Sequence, residues 1–562
     1  MSGRPGTIAT ASGYHDTVGV WISAGMIMRK SVISGRVEVP FDEAASLPAL
    51  LSELRVSQPD CVALMEGERI VTWGESIDRI YRIANGLRAL GVSRGDRVAM
   101  LSRNSIAYSE VFAATLVVGA CAVPLQSMIT ARSLLMMLRD CSAKVLILSQ
   151  EMLELSGEFL AQQTQILPGG LIGFDFCDAQ FQLLESWQSP QSSKAPGVTL
   201  SGDDEFNIIY SSGTTGVPKG IVHSHRTRQS LGAGLMALGL GPGAITLIST
   251  PLYSNTTITT WWPTLCGGGT LVIMPKFDAE GALNLIQRHC VTHAMLVPVQ
   301  YDRIVRVKNF DDYDLSSLQL TFSTSAPLRA ALKRDVIDRL PSELIEFYGL
   351  TEGGVGTLLV GSVAREQDKL DSVGPAIPGS ILKVISEQGD ELPVGEVGEI
   401  VGRSASMSEG YHNRAEANED MLWRDSEGLL YYKSGDVGHF DEEGWLFLSD
   451  RRKDMIISGG FNIYATDLEL VLLESPAVHE VAVVALPSQA WGETPLAIVV
   501  VEPGAKVSAC SLREWANERL GKAQRIAHVV IVDDLPKSSI GKVLKRELRE
   551  QYAHLSDQIA ER

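Results

Sequence analysis

The segment Tyr210-Ser-Ser-Gly-Thr-Thr-Gly-Val-Pro-Lys-Gly220 follows a short apolar run, residues 206–210, and gathers four aliphatic hydroxyls, three glycines and one lysine. Such a loop suits a polyphosphate. Gly213, Gly216 and Gly220 let backbone N–H groups approach an anion closely, Ser211, Ser212, Thr214 and Thr215 add hydroxyl donors, and Lys219 brings positive charge. It is not a Walker A loop, which places Lys directly after its second glycine and then Ser or Thr. Here two residues separate Gly216 from Lys219, and glycine follows. Taken alone, a stretch rich in Gly, Ser and Thr is equally consistent with a solvated surface loop.

On both sides of this loop, helical patterns alternate with β-branched runs. Residues 76–90 and 279–289 carry the helical spacing; residues 97–101, 270–274, 294–299, 318–322 and 344–347 are short apolar runs. That is the rhythm of parallel sheets with crossover helices, and it predicts a layered α/β body. After about residue 379, closely spaced short strands at 381–385, 399–402 and 444–448 predict a small β-rich lobe. Helices at 466–473 and 512–520 with strands at 481–486, 496–501 and 529–532 predict a separate α+β domain. The expected division is an N-terminal extension over 1–45, a large lobed domain over 46–452 and a smaller domain over 453–562.

A chain of 562 residues exceeds what one hydrophobic core ordinarily organises, which agrees with that division. Hydrophobic residues at 45% and charged residues at 21% describe a globular protein rather than a disordered one. The net charge of -18 argues against general nucleic-acid binding, since duplex affinity rests on Lys and Arg contacts to phosphate. An anionic ligand must therefore meet a local basic site. The seven cysteines are scattered without C-x-x-C spacing and read as reduced thiols of a cytoplasmic protein. The longest uncharged apolar stretch, residues 111–125, is shorter than the ~18 residues a membrane span needs, so no transmembrane segment is expected.

Four further strings lie downstream: Tyr348-Gly-Leu-Thr-Glu-Gly-Gly354, Tyr432-Lys-Ser-Gly-Asp-Val-Gly438, Asp450-Arg-Arg-Lys-Asp-Met-Ile-Ile-Ser-Gly-Gly460 and Pro536-Lys-Ser-Ser-Ile-Gly-Lys-Val-Leu-Lys-Arg-Glu-Leu548. Singly, each has a plain reading: a Glu in a solvated turn, a Gly-Asp pair in a hairpin, a basic surface tail. Together with the phosphate loop, and in this order, they resemble the adenylate-forming superfamily of acyl-CoA synthetases, peptide-synthetase adenylation domains and firefly-type luciferases. The resemblance covers roughly residues 45–550. It implies that Tyr348 stacks on adenine, Thr351 bonds the α-phosphate and Glu352 helps hold Mg²⁺, which favours carboxylate together with substrate phosphate oxygens. It further implies that Asp436 binds the ribose hydroxyls, that Arg451 contacts ribose or phosphate, and that Lys453 is the hinge of a mobile C-terminal domain. Lys542 becomes the catalytic lysine, an ammonium placed between the acid carboxylate and the α-phosphate.

The same resemblance locates acid selectivity around Tyr253, Ser254 and Thr257, the following helix with Trp261 and Trp262, and Thr324 and Ser325. In the resemblance, many relatives have His at the position of Ser254 and Gly-Gly at Thr324-Ser325, so the added side-chain bulk at the latter pair should narrow or redirect the acyl channel. The two tryptophans are equally readable as core residues. For a thiol acceptor, Ser458, Gly459, Gly460 and Trp491 resemble the coenzyme A side of the smaller domain. Ala465 and the string Ala523-Gln-Arg-Ile526 depart from the family pattern there, and Lys522 or Arg525 would then supply a phosphate contact.

The expected activity is an AMP-forming acid:CoA ligase with ATP, Mg²⁺ and coenzyme A, acting on a medium-chain fatty, aryl or arylalkanoic acid. Its partners are these small molecules and, at most, a second copy of the chain. A different acceptor (carrier-protein thiol, amine or oxygen), a non-catalytic acyl or nucleotide sensor, and a P-loop kinase are the competing readings; the lysine spacing disfavours the last.

Overall fold

The computed structural model describes residues 40–127, 131–156, 170–211, 218–451, 454–458, 461–488, 491–521, 524–538 and 541–555. The expected N-terminal extension lies almost wholly outside them. The described chain forms two compact units. The first takes the chain through Leu370 together with Ala376–Ile381 and Gly402–Tyr432; the second takes Asp371–Pro375, Leu382–Val401 and the chain from Lys433 onward.

The first unit is built on two eight-stranded sheets. In one, the strands Glu343–Gly349, Leu320–Ser323, His293–Leu296, Ile245–Ile248, Thr270–Ile273 and Val62–Glu66 run parallel in that spatial order, with an antiparallel strand on each edge. In the other, Glu205–Ser211, Cys121–Pro124, Arg97–Leu101, Val145–Leu148, Gly170–Gly173 and Gln182–Leu183 run parallel, and the antiparallel strands Lys219–Ser224 and Gly410–Tyr411 extend one edge. The parallel α/β body expected from the alternating pattern is present. Its largest core cluster combines side chains of both sheets with the helices Trp73–Ala89, Ile106–Val117 and Asn255–Cys266.

The uncharged stretch 111–125 finds its place here. It supplies the end of the helix Ile106–Val117, buried on nearly every side, and the central strand Cys121–Pro124. A helix buried nearly all round, with its one carboxylate, Glu110, paired to Arg79, belongs between layers rather than on a surface. No described helix is long and apolar enough to cross a membrane. All seven cysteines are free thiols.

Most expected elements recur within a few residues. The expected strand 294–299 ends at Leu296, because Pro298 begins the helix Pro298–Val305, where its fixed φ and missing N–H suit the first turn. The expected helix 512–520 runs instead over Ala509–Asn517, started by Ser508, whose side chain accepts from Ser511 N.

In the second unit, the strand Gly492–Val501 pairs antiparallel with Val478–Ser488 and parallel with His528–Val532. The helices Ala465–Leu473 and Ala509–Asn517 pack on one face, and Leu535 and Leu548 contribute to a second cluster on the other. The short strands expected after residue 379 are present as Ile381–Ile385, Gly398–Arg403, Leu430–Phe440 and Leu446–Arg451.

Candidate active site

The candidate residues are divided between the two units. In the first, the strand Glu205–Ser211 enters the phosphate loop and Lys219–Ser224 leaves it, paired so that Ser211 faces Lys219 and Tyr210 faces Gly220. Both ends of the loop are thus pinned by one antiparallel ladder. Ser212, Gly213, Thr214 and Thr215 lie outside the described residues.

The Tyr348–Gly354 string begins at the end of the strand Glu343–Gly349 and turns sharply against Ser406 and Met407. Gly353 has φ +74°, and a Cβ there would lie 1.8 Å from the carbonyl oxygen of Ser406, so glycine is required. This turn delivers Thr351 and Glu352. The Thr351 carbonyl is 2.7 Å from Nε2 of His223, which stands on the return strand of the phosphate loop. Burial, followed by the nearby Arg228, drives the His223 pKa well below its ordinary range. The neutral ring therefore donates from Nε2 to Thr351, and its Nδ1 faces the side-chain amide of Asn207 at 3.4 Å.

Glu352 is held at both ends of the residue. Its carbonyl accepts from Ser408 N at 2.8 Å, and its Oε1 accepts from the Tyr411 hydroxyl at 2.8 Å. Burial and the Glu352 carboxylate push the Tyr411 phenol pKa up, so it remains a donor. Lys219 Nζ lies 4.9 Å from the centroid of the same tyrosine ring. Phosphate-loop lysine and candidate metal carboxylate therefore meet on one side chain. Among the described residues no cluster of three or more His, Cys, Asp or Glu can hold a metal, and Oε2 of Glu352 accepts no hydrogen bond from them. A lone carboxylate with one open oxygen fits Mg²⁺, whose remaining ligands are water and substrate phosphate.

The expected acid-binding residues separate into two groups. Ser254 caps the helix Asn255–Cys266 through its side chain, and two residues on, Thr256 Oγ1 makes a short contact with Ser325 Oγ. Ser325 has φ +79°, the left-handed region that favours glycine. Thr324 is its partly exposed neighbour, and Tyr253 is nearly buried. Thr257 and Trp261 belong instead to the core. Thr257 Oγ1 donates to the Pro251 carbonyl at 2.6 Å, and the Trp261 indole donates to Ser109 Oγ at 2.8 Å and packs 4.8 Å from the Phe112 ring. Both are fully buried in a helix that is buried along most of its length, as in the core reading that the sequence left open for the tryptophans. Trp262 likewise packs edge-on against Phe206.

In the second unit, Asp436 lies on the strand Leu430–Phe440 directly opposite Arg451 on Leu446–Arg451. Its backbone N–H donates to Ser434 Oγ at 3.0 Å, and its side chain is nearly buried. Lys453, Gly459 and Gly460 lie outside the described residues. Ser458 pairs with Gly492, which brings Ser458 beside Trp491, a tryptophan left 41% exposed. Glu493 Oε2 accepts from Ile457 N and ties the same two segments.

Lys542 closes a tight loop: Ser538 N donates to its carbonyl at 2.8 Å, Gly541 N donates to Ser538 O, and Lys537 pairs with Val543. The surrounding basic residues are not a loose tail. Lys537 pairs with Glu480 and Asp534, Lys545 with Glu469, and Arg549 with Asp454.

Sequence reasoning missed His223, Tyr411, Thr256 and the buried Arg228, whose guanidinium is bound by Asn207 and Asn255 rather than by any described carboxylate. No local pattern distinguishes them, since their significance lies in partners up to 128 residues away.

Residues 53–412 match the model of the AMP-binding enzyme family, and residues 467–542 match that of the AMP-binding enzyme C-terminal domain. The chain is 33% identical to the long-chain-fatty-acid–CoA ligase FadD13 of Mycobacterium tuberculosis, over 84% of this chain and 91% of that one. It is also 33% identical to a feruloyl-CoA synthase of an Amycolatopsis species, over 88% and 96%. The fold superposes on ATP-bound MatB of Rhodopseudomonas palustris with a TM-score of 0.81 and 28% identity, covering 91% of this chain and 99% of that one. With both family models matched in order and the fold shared along nearly its whole length, this chain belongs to the AMP-binding enzymes, the adenylate-forming superfamily that includes the acyl-CoA synthetases.

Proposed function

We propose that the protein is an AMP-forming carboxylic acid:coenzyme A ligase. The observation that carries this reading is the meeting of Lys219, Glu352 and Tyr411, with Thr351 fixed beside them through His223. A carboxylate oxygen of the acid attacks the α-phosphorus of ATP, the bond to the bridging oxygen breaks, and acyl-AMP and pyrophosphate result. Lys219 and the loop hydroxyls bind the departing phosphates, Thr351 bonds the α-phosphate, Tyr348 stacks on adenine, and Asp436 and Arg451 hold the ribose. Glu352 holds Mg²⁺, which neutralises phosphate charge when bound. Lys542 lies between carboxylate and α-phosphate, where charge gathers in the transition state.

In the second step the sulfur of coenzyme A attacks the acyl carbon, the bond to AMP breaks, and the thiol proton leaves to solvent. A thiol of pKa ~8.5 is partly ionised at neutral pH, and AMP is a good leaving group, so alignment is sufficient. We assign Lys453 as the hinge of the smaller domain and Ser458, Gly459, Gly460 and Trp491 as the residues that serve the incoming thiol. The acid we propose is a medium-chain fatty, aryl or arylalkanoic one; the names of the relatives, a long-chain-fatty-acid–CoA ligase and a feruloyl-CoA synthase, support only the broader classes of fatty or aryl acid.

Pyrophosphate release measured across fatty, aryl and arylalkanoic acids tests the adenylation step, and competition between coenzyme A, amines and a carrier-protein thiol for purified acyl-adenylate tests the acceptor. Release with at least one acid, followed by thioester formation, is expected. No release with any acid would leave a nucleotide or acyl sensor; release without consumption of coenzyme A would assign another acceptor.

A further inference from the structure

Tyr411 stands in a two-residue strand, Gly410–Tyr411, laid along the return strand of the phosphate loop, with Tyr411 opposite Ile221. Its placement is fixed by the backbone on both sides. Glu409 N donates to Val222 O at 2.8 Å, His412 N donates to Gly220 O at 2.7 Å, and Asn418 closes the segment by accepting from Tyr411 N and donating to Tyr411 O. Gly410 has φ +103°, and a Cβ there would meet Asn418 Oδ1 at 2.8 Å, so the segment cannot easily shift.

From this fixed position the side chain serves two groups at once. Its hydroxyl donates to Glu352 Oε1 at 2.8 Å, and its ring lies under Lys219 Nζ at 4.9 Å. The hydrogen bond occupies one carboxylate oxygen and fixes where the other points; the ring face gives the ammonium a favourable seat without neutralising it. A purely packing tyrosine would satisfy its hydroxyl with any backbone carbonyl, as Tyr432 does with that of Ser408.

We propose that Tyr411 is a positioning residue that sets the separation of the metal-binding carboxylate and the phosphate-loop lysine, and so couples metal loading to polyphosphate binding. The inference rests on the roles given to Glu352 and Lys219 under the proposed function. Tyr411→Phe keeps the ring under Lys219 and removes the donor; Tyr411→Leu removes both.

The test is calorimetric titration of ATP into the full-length protein at a series of Mg²⁺ concentrations and in EDTA, with no acid present. Tyr411→Phe should raise the Mg²⁺ concentration that half-saturates the gain in ATP affinity by about tenfold, the effect of losing one hydrogen bond to a charged group, with affinity in EDTA unchanged. Tyr411→Leu should also weaken ATP binding in EDTA by about two- to fivefold. Glu352→Gln is the reference variant, expected to raise the Mg²⁺ requirement at least as far, and adding Tyr411→Phe to it should change nothing more. If Glu352→Gln shifts the Mg²⁺ requirement and Tyr411→Phe does not, the positioning role is overturned. If neither shifts it, the metal role of Glu352 fails first and takes the inference with it. Equal weakening by Tyr411→Phe with and without Mg²⁺ would show a general structural role and also overturn the proposal. Unfolding midpoints of each variant establish that the titrated protein is folded.

Discussion

Lys333 Nζ lies 2.7 Å from Glu346 Oε2, and both side chains are all but withdrawn from solvent. Glu346 stands on the strand that ends at Tyr348 and Gly349; Lys333, on the helix Ala330–Arg339, also donates to the Leu370 carbonyl at 2.8 Å. Burial pushes the Glu346 carboxyl pKa up, and Lys333 pulls it back toward ionisation. The pair thus anchors the strand that presents Thr351 and Glu352.

Removing one partner leaves the other charge buried alone, which costs about 3–5 kcal/mol. Lys333→Met should therefore lower the urea midpoint of the first unit substantially, whereas Lys333→Met combined with Glu346→Leu should recover most of the loss. An unchanged midpoint in the single variant would mean that the pair contributes nothing to stability.

Ser325 occupies a left-handed conformation that costs a non-glycine residue about 1–2 kcal/mol, and its hydroxyl meets Thr256. Ser325→Gly relieves the backbone and opens that contact. If the two residues bound the acyl site, longer acids should gain, by a few-fold in kcat/KM for each added methylene at ~0.8 kcal/mol apiece. Chain-length profiles of the wild type, Ser325→Gly and Thr256→Ala decide this; superimposable profiles would remove both residues from the acyl site.

Lys542 is displayed by a loop whose neighbouring cations are paired internally, so substituting it should leave the fold of the second unit intact. Lys542→Ala should slow acyl-AMP formation by about two to three orders of magnitude, the effect of one preorganised electrostatic donor. Thioester formation from supplied acyl-AMP should survive. Equal loss in both half-reactions would contradict the assignment.

His225 is buried against the ring of Phe206, and burial lowers its pKa to about 4, with Asp204 opposing the shift and Arg94 adding to it. Above the unfolded value near ~6.5 both states are neutral and the group has no effect on stability. Between that value and about 4 the unfolded chain binds a proton that the folded chain refuses. Stability therefore falls with pH there, by up to about 1.4 kcal/mol per unit from this residue. Unfolding free energies from pH 7 to pH 5 should show a shallower slope for His225→Phe than for the wild type. His223 and His293, whose pKa values are also depressed by burial, keep the slope from vanishing. Identical slopes would mean that His225 takes up its proton in the folded state.

The sequence by itself determined the architecture and the chemistry on offer. Alternation of helical and β-branched runs specifies parallel layers, because each pattern can bury its apolar face in only one way. The loop 210–220 and the string 348–354 each have a plain reading alone, and it is their occurrence together and in order with the downstream strings that carries the resemblance to the adenylate-forming family. What those strings left undecided is which side chains support them. Trp261 is readable as either a pocket or a core residue, and tertiary packing buries it and Thr257, with Ser109 and Pro251 taking their polar atoms. His223, Thr256 and Tyr411 gave no local signal. Their roles arise from contacts to Thr351, Ser325 and Glu352, respectively 128, 69 and 59 residues away along the chain. Short-range periodicity encodes which face of an element is apolar. Only tertiary packing decides which distant donor reaches a given carbonyl or carboxylate, because that depends on strand order, and strand order is set by the burial of the whole sheet.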